Sequence, residues 1–111
     1  MQKLILIATI LLVWRAGIIT TYHNKFEGRR CADGSVFHQK NMIVAMVGVK
    51  LGTKVEIKYG GHKVIARVTD TGKLRRLWHI DASRGVAKRL GLYRITKAGK
   101  TDRNIKWRRI R

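Results

Sequence analysis

Residues 54–72 read KVEIKYGGHKVIARVTDTG, and the way this stretch folds decides the rest of the chain. Val55, Ile57 and Tyr59 alternate with Glu56 and Lys58, the period-two pattern of a strand with one buried face. Gly60-Gly61 then supplies a two-residue turn of the kind that closes tight hairpins. The return run, His62 to Thr69, leads straight into Asp70. A hairpin is therefore expected here, ending in a carboxylate.

Working outward, the same texture recurs. Upstream, GIITTY (17–22) is β-branched and bounded by polar residues, and NMIVAMVGV (41–49) is an apolar run of strand length. Between them HNKFEGRRCADGS (23–35) reads as a loop marked by Gly28 and the Asp33-Gly34 turn. Downstream, LWHI (77–80) is a short strand that reaches a second carboxylate, Asp81. SRGVAKRLG (83–91) is the helix candidate, with Val86, Ala87 and Leu90 on one side, Ser83 at its start and Gly91 at its end. LYRITKAG (92–99) and NIKWRRI (104–110) read as the closing strands. The expectation is an all-β fold of about six strands with one short α-helix. That strand number suits a closed barrel, which leaves no exposed edge.

The chain has 111 residues, 25 Lys and Arg against six Asp and Glu, and a formal net charge of +19. One compact domain is expected from that length, and an anionic partner from that charge: nucleic acid, acidic lipid or a polyanionic wall. With one cysteine, Cys31, no disulfide can form within the chain. His23, His38, His62 and His79 are scattered without metal-ligand spacing, so neither a metal site nor a cofactor is expected. Residues 4–14, LILIATILLVW, form an uncharged apolar run of eleven residues. This length matches the core of an export signal and falls short of the roughly 20 residues of a spanning helix. Ala16 could precede a cut, although Trp14 stands where a small residue is usual. The expected division is residues 1–16 as signal peptide or N-terminal membrane anchor and 17–111 as the barrel, at +17 once Lys3 and Arg15 are removed.

Four segments in this order, GIITTYHNKFEGRRCADGSVF, LGTKVEI, VIARVTDTG and HIDASRGVAKRLGL, resemble the double-psi β-barrel domain of rare lipoprotein A, the RlpA-like barrels. The resemblance runs without a gap from Gly17 to Thr53, then past a shortened hairpin to Leu92. It implies a six-stranded double-psi β-barrel in an exported or envelope protein that acts on cell-wall glycan, by lytic transglycosylation or, as in the related expansins, by loosening without hydrolysis. The chain departs from the family at several points. Thr21 stands for a Trp, Ser35 for a Glu, His38 for an Asp and Met46 for a His. Thr71 and Lys73 stand for the Arg and Pro of the usual DRGP, and Glu27 occupies a position that is often His.

Both aspartates survive those changes, and they are the candidate catalytic residues. Lytic transglycosylation can run on one carboxyl group, which protonates the glycosidic oxygen and then takes a proton from the muramic C6 hydroxyl; no water is activated. Asp81, beside Trp78-His79-Ile80, is the first choice and Asp70 the second. The alternatives are structural: helix N-capping for Asp81 and an Asx turn for Asp70. Lys73, Arg75, Arg76 and Arg84 lie close in sequence to both and favour ionised carboxylates. Thr20, Tyr22, Glu27, Arg29, Arg30 and His79 are the candidate substrate-binding residues, the two arginines through bidentate pairing with substrate carboxylates. The expected partner is peptidoglycan or another anionic wall glycan, met by a monomer, with membrane association through residues 1–16. A nucleic-acid-binding barrel is the rival class, disfavoured because aromatic residues are not interleaved with basic ones. A third class is an anchored protein held to acidic lipids by the closing KWRRIR.

Overall fold

The computed structural model describes residues 13–72 and 76–110. Six strands, β1 (Arg15–Thr21), β2 (Ile43–Met46), β3 (Lys54–Tyr59), β4 (His62–Asp70), β5 (His79–Ala82) and β6 (Asp102–Arg109), close into a barrel in the order β1-β5-β2-β4-β3-β6. Two pairs, β1–β5 and β2–β4, are parallel, and the others are antiparallel. This is the double-psi barrel that the resemblance implies.

The hairpin forms as its alternation dictates. Tyr59 pairs with His62 across Gly60-Gly61, and Gly60 takes the positive φ, 55°, that such a turn requires. Val55 and Ile57 from β3 point inward with Val64, Ala66 and Val68 from β4. Ile19, Val44, Met46, Ile80, Ile105 and Trp107 complete the core. Each fully buried branched aliphatic side chain contributes roughly 1.5–3 kcal/mol.

Two short helices follow β5 where one was expected. The first, α1 (Arg84–Arg89), is capped by Ser83, whose Oγ accepts from the Val86 amide at 3.2 Å. Asp81 is therefore not the cap; it belongs to β5. The second, α2 (Tyr93–Thr96), replaces the strand expected over 92–99. Gly91, at φ 72°, ends α1, and Leu92 is wholly buried. The Thr96 hydroxyl bonds the Leu92 carbonyl and the Thr21 hydroxyl, so the segment docks end-on against β1. That tertiary contact overrides the β-branched texture of the run.

Arg15 and Ala16 are strand residues, paired with Trp107 and Lys106. Just before them, Trp14 lies under two cations, Lys58 Nζ at 4.1 Å and Arg108 at 4.4 Å from its ring centre. Residues 1–12 lie outside the described residues.

At the start of α1, the Gly85 amide donates to the Gln39 carbonyl at 2.7 Å. A Cβ on Gly85 would lie 2.9 Å from the Lys40 carbonyl oxygen. Gly85→Ala should therefore destabilise by about 1–3 kcal/mol, even though alanine is the better helix former by about 1 kcal/mol. Urea unfolding of the two proteins measures this; an unchanged or raised midpoint would show that the segment at Lys40 yields.

Candidate active site at the β4-β2-β5 row

Strand register brings the two candidate aspartates together. Ala45 of β2 pairs with Asp70 of β4 on one side and with Asp81 of β5 on the other. Asp81 in turn pairs with Thr20 of β1. Thr20, Asp81, Ala45 and Asp70 thus form one row across four strands. At about 4.8 Å per strand, the Cα atoms of the two aspartates are about 10 Å apart. The residue between them, Ala45, is buried, and a half-buried carboxylate stands on each side of it.

Asp81 is held from β1. The Thr20 hydroxyl donates to Asp81 Oδ1 at 3.0 Å and lies 2.8 Å from His79 Nε2. A hydroxyl has one proton, and here it goes to Asp81, so the His79 ring must be the donor at Nε2. The result is a directed chain, His79 to Thr20 to Asp81, with Thr20 and His79 both buried.

Asp70 is held by three donors. Its Oδ1 accepts from the amides of Ala32 (3.2 Å) and Thr71 (2.9 Å), and its Oδ2 from the Tyr22 hydroxyl at 3.3 Å. The Thr71 bond is to the adjacent amide, whereas an Asx turn closes on the amide two residues on, so an Asx turn at Asp-Thr-Gly is not what holds Asp70. Tyr22 stacks on Phe37 with ring centres 4.3 Å apart and meets Phe26 edge-on. Burial raises the Tyr22 phenol well above its ordinary value, and the charges of Asp70 and then Asp81 raise it further. Both carboxylates thus act on one phenol, which stays a protonated donor.

The remaining candidates fall on the loop beside this row. Glu27 accepts from the Gln39 amide at 2.8 Å and meets His38 Nδ1 at 2.7 Å. Gln39, itself buried, donates to the Tyr22 carbonyl and accepts from the Arg84 amide. Glu27 therefore buttresses Tyr22 from behind. The two departures at 27 and 38 also meet each other: where the family has His and Asp, this chain has Glu and His in contact. Arg29 lies over Phe26, and Arg30 donates to the Gly34 carbonyl at 2.7 Å, both on their own exposed loop. Of the expected cations, Lys73 and Arg75 lie outside the described residues. Arg84 is turned to Asn24 and Tyr93.

Several residues at the site went unread in the sequence. Cys31 is buried beside Tyr22 and accepts from the Thr69 hydroxyl at 3.5 Å. Asp33, lowered chiefly by its hydrogen bond from Ser35, ties the loop tip to β4 through its amide on the Thr69 carbonyl. Met46 is buried in the core, and Ser35 is occupied with Asp33, so neither position supplies the polar group that the family has there. Among the described residues no group of three His, Cys, Asp or Glu is placed to hold a metal.

No family model matches the chain. Curated proteins do. The probable endolytic peptidoglycan transglycosylase RlpA of Aquifex aeolicus is 39% identical over 80 residues, 70% of this chain and 35% of that protein. The endolytic peptidoglycan transglycosylase RlpA of Haemophilus influenzae is 31% identical over 80 residues, 70% and 28% of the two chains. The chain thus spans about a third of the length of these relatives. Among solved structures, the Streptomyces papain inhibitor superposes with a TM-score of 0.70 at 23% identity, covering 91% of this chain and 97% of its own. The apo expansin of Clavibacter michiganensis gives 0.67 at 18%, covering 89% and 51%. These two likenesses carry the fold.

The Glu27 contacts set an acid limit on the loop. Its carboxyl lies below the ordinary 4.5, because of the Gln39 amide first and His38 second. A depressed carboxyl contributes stability that is complete above its unfolded value and is lost as pH falls through the folded one. Melting temperature should therefore fall more steeply below about pH 4.5 in wild type than in Glu27→Gln, measured by calorimetry across pH 3–6; parallel curves would contradict it.

Proposed function

We propose, from the premise that this barrel is an RlpA-like double-psi domain, that the protein is exported and acts on peptidoglycan strands as a lytic transglycosylase. The observation that carries the reading is the row Thr20–Asp81–Ala45–Asp70. It sets two half-buried carboxyl groups on either side of buried Ala45, within reach of one sugar strand.

In this reading Asp81 is the acid that protonates the glycosidic oxygen. The same group, now ionised, removes the proton from the C6 hydroxyl that closes the anhydro ring. Thr20, supported by His79, fixes the rotamer of Asp81 through Oδ1. Asp70 orients the sugar as a hydroxyl acceptor and accepts the hydrogen bond of the Tyr22 phenol, whose oxygen is left as an acceptor beside it. Arg29 and Arg30 stand on the exposed loop, where stem-peptide carboxylates would meet them. Export or membrane attachment falls to the apolar run of residues 4–14, since Arg15 and Ala16 pair within the barrel.

A second reading has its own support. Buried Met46 and the Asp33-bound Ser35 occupy two positions that are polar in the family, which favours a wall-binding module that does not turn over substrate.

Digestion of purified peptidoglycan separates the two. The wild type should release anhydro-muropeptides, and Asp81→Asn should lower that release by about 10²–10⁴-fold, the usual worth of a general acid, while still pelleting with the wall. Wild type that pellets but yields no anhydro product would assign the binding module.

A further inference from the structure

The outer face of β6-β3-β4 carries charge in an arrangement that the barrel itself does not need. Lys106 of β6 pairs with Lys58 of β3, and Lys58 pairs with Lys63 of β4. Three lysines thus stand side by side across three adjacent strands, within about 10 Å. Like charges directly opposite across strands are destabilising. In the adjoining row Arg108 is paired with Glu56, at 2.7 Å, and Glu56 stands opposite exposed Ile65. No carboxylate pairs with the three lysines in either strand register.

Two apolar groups border this row. Ile65 is 52% exposed. Trp14 lies on Lys58 and Arg108 and is the last residue of the apolar run 4–14. The chain therefore reaches the barrel from that run directly onto the lysine face. Cations flanking an aromatic residue at the end of an apolar segment are the arrangement that meets lipid headgroups.

We infer that the Lys106–Lys58–Lys63 row, with Trp14 and Ile65, is a docking face for the anionic headgroups of a phospholipid bilayer. The occupant is chosen over a wall polymer or nucleic acid because the apolar run delivers this face to the lipid. Position in the ring agrees. In the closed order, β3 lies opposite β5 and β6 opposite β2, so a barrel resting on this face turns Asp81 and Ala45 of the aspartate row away from the membrane, while Asp70 stands at the other end of β4 from Lys63. The inference is independent of turnover at that row.

The test is co-sedimentation of the full chain with vesicles of phosphatidylcholine alone and with 30% phosphatidylglycerol, the difference isolating the charge-dependent part. Each lysine near an anionic surface is worth about fivefold in affinity. The triple variant Lys58→Gln, Lys63→Gln, Lys106→Gln should therefore lose roughly 100-fold of that difference and melt no lower than wild type. A charge-matched control, Lys88→Gln, Lys97→Gln, Lys100→Gln, should stay within about twofold of wild type. Equal losses in the two triples would reduce the effect to net charge and overturn the proposal. So would a lysine-row variant that keeps its vesicle binding while losing affinity for purified wall or duplex DNA.

Discussion

The structure turns on β2, a strand of four residues wedged between β4 and β5. Its pairing with β4 is parallel and with β5 antiparallel, so it is the element that joins the two halves of the barrel. Because Ala45 takes both aspartates as neighbours, the same register that closes the barrel sets the carboxyl spacing. A one-residue slip of β2 would turn its inward side chains outward and take Ala45 from between the aspartates at once. Stability and site geometry are one constraint here.

Much of this was legible in the sequence, and the limits are instructive. The hairpin was readable because its alternation and its glycine pair are local signals, and so was the Ser83 cap. α2 was not, because Tyr93–Thr96 is helical through the Thr96–Thr21 contact, 75 residues apart in the chain, and nothing in LYRIT announces a distant partner. Asp70 and Asp81 could be singled out as carboxylates ending apolar runs. Their common neighbour Ala45 could not, since its role comes from pairing alone. Gln39 carries no signal in the sequence, yet its side-chain amide joins Tyr22 to Arg84 and its backbone amide holds Glu27. Buried polar groups of this kind are recognised by their partners, not by their type.

The Glu27–His38 contact shows why single-position comparison misleads. Taken separately, each residue looks like the loss of a family group. In the fold they touch, and an acid and an imidazole stand in contact at these two positions. Ser35 and Met46 have no such reciprocal change. Ser35 serves its own turn, and Met46 fills core volume beside Ile57 and Ile80. Substitutions that keep a contact and substitutions that abandon one are distinguishable only when both ends of the contact are in view.

The strand order also bears on how the chain is made and moved. β1 leaves the ribosome first, but its partners are β5 and β6, and the Arg15–Trp107 pair spans 92 residues. Loop closure over such distances comes late and slowly. Until β5 has been synthesised the first strand has nothing to pair with, and until β6 follows the barrel cannot close. A polypeptide arranged in this way remains threadable through a translocation pore for most of its synthesis, and its fold is completed by the last strand to arrive.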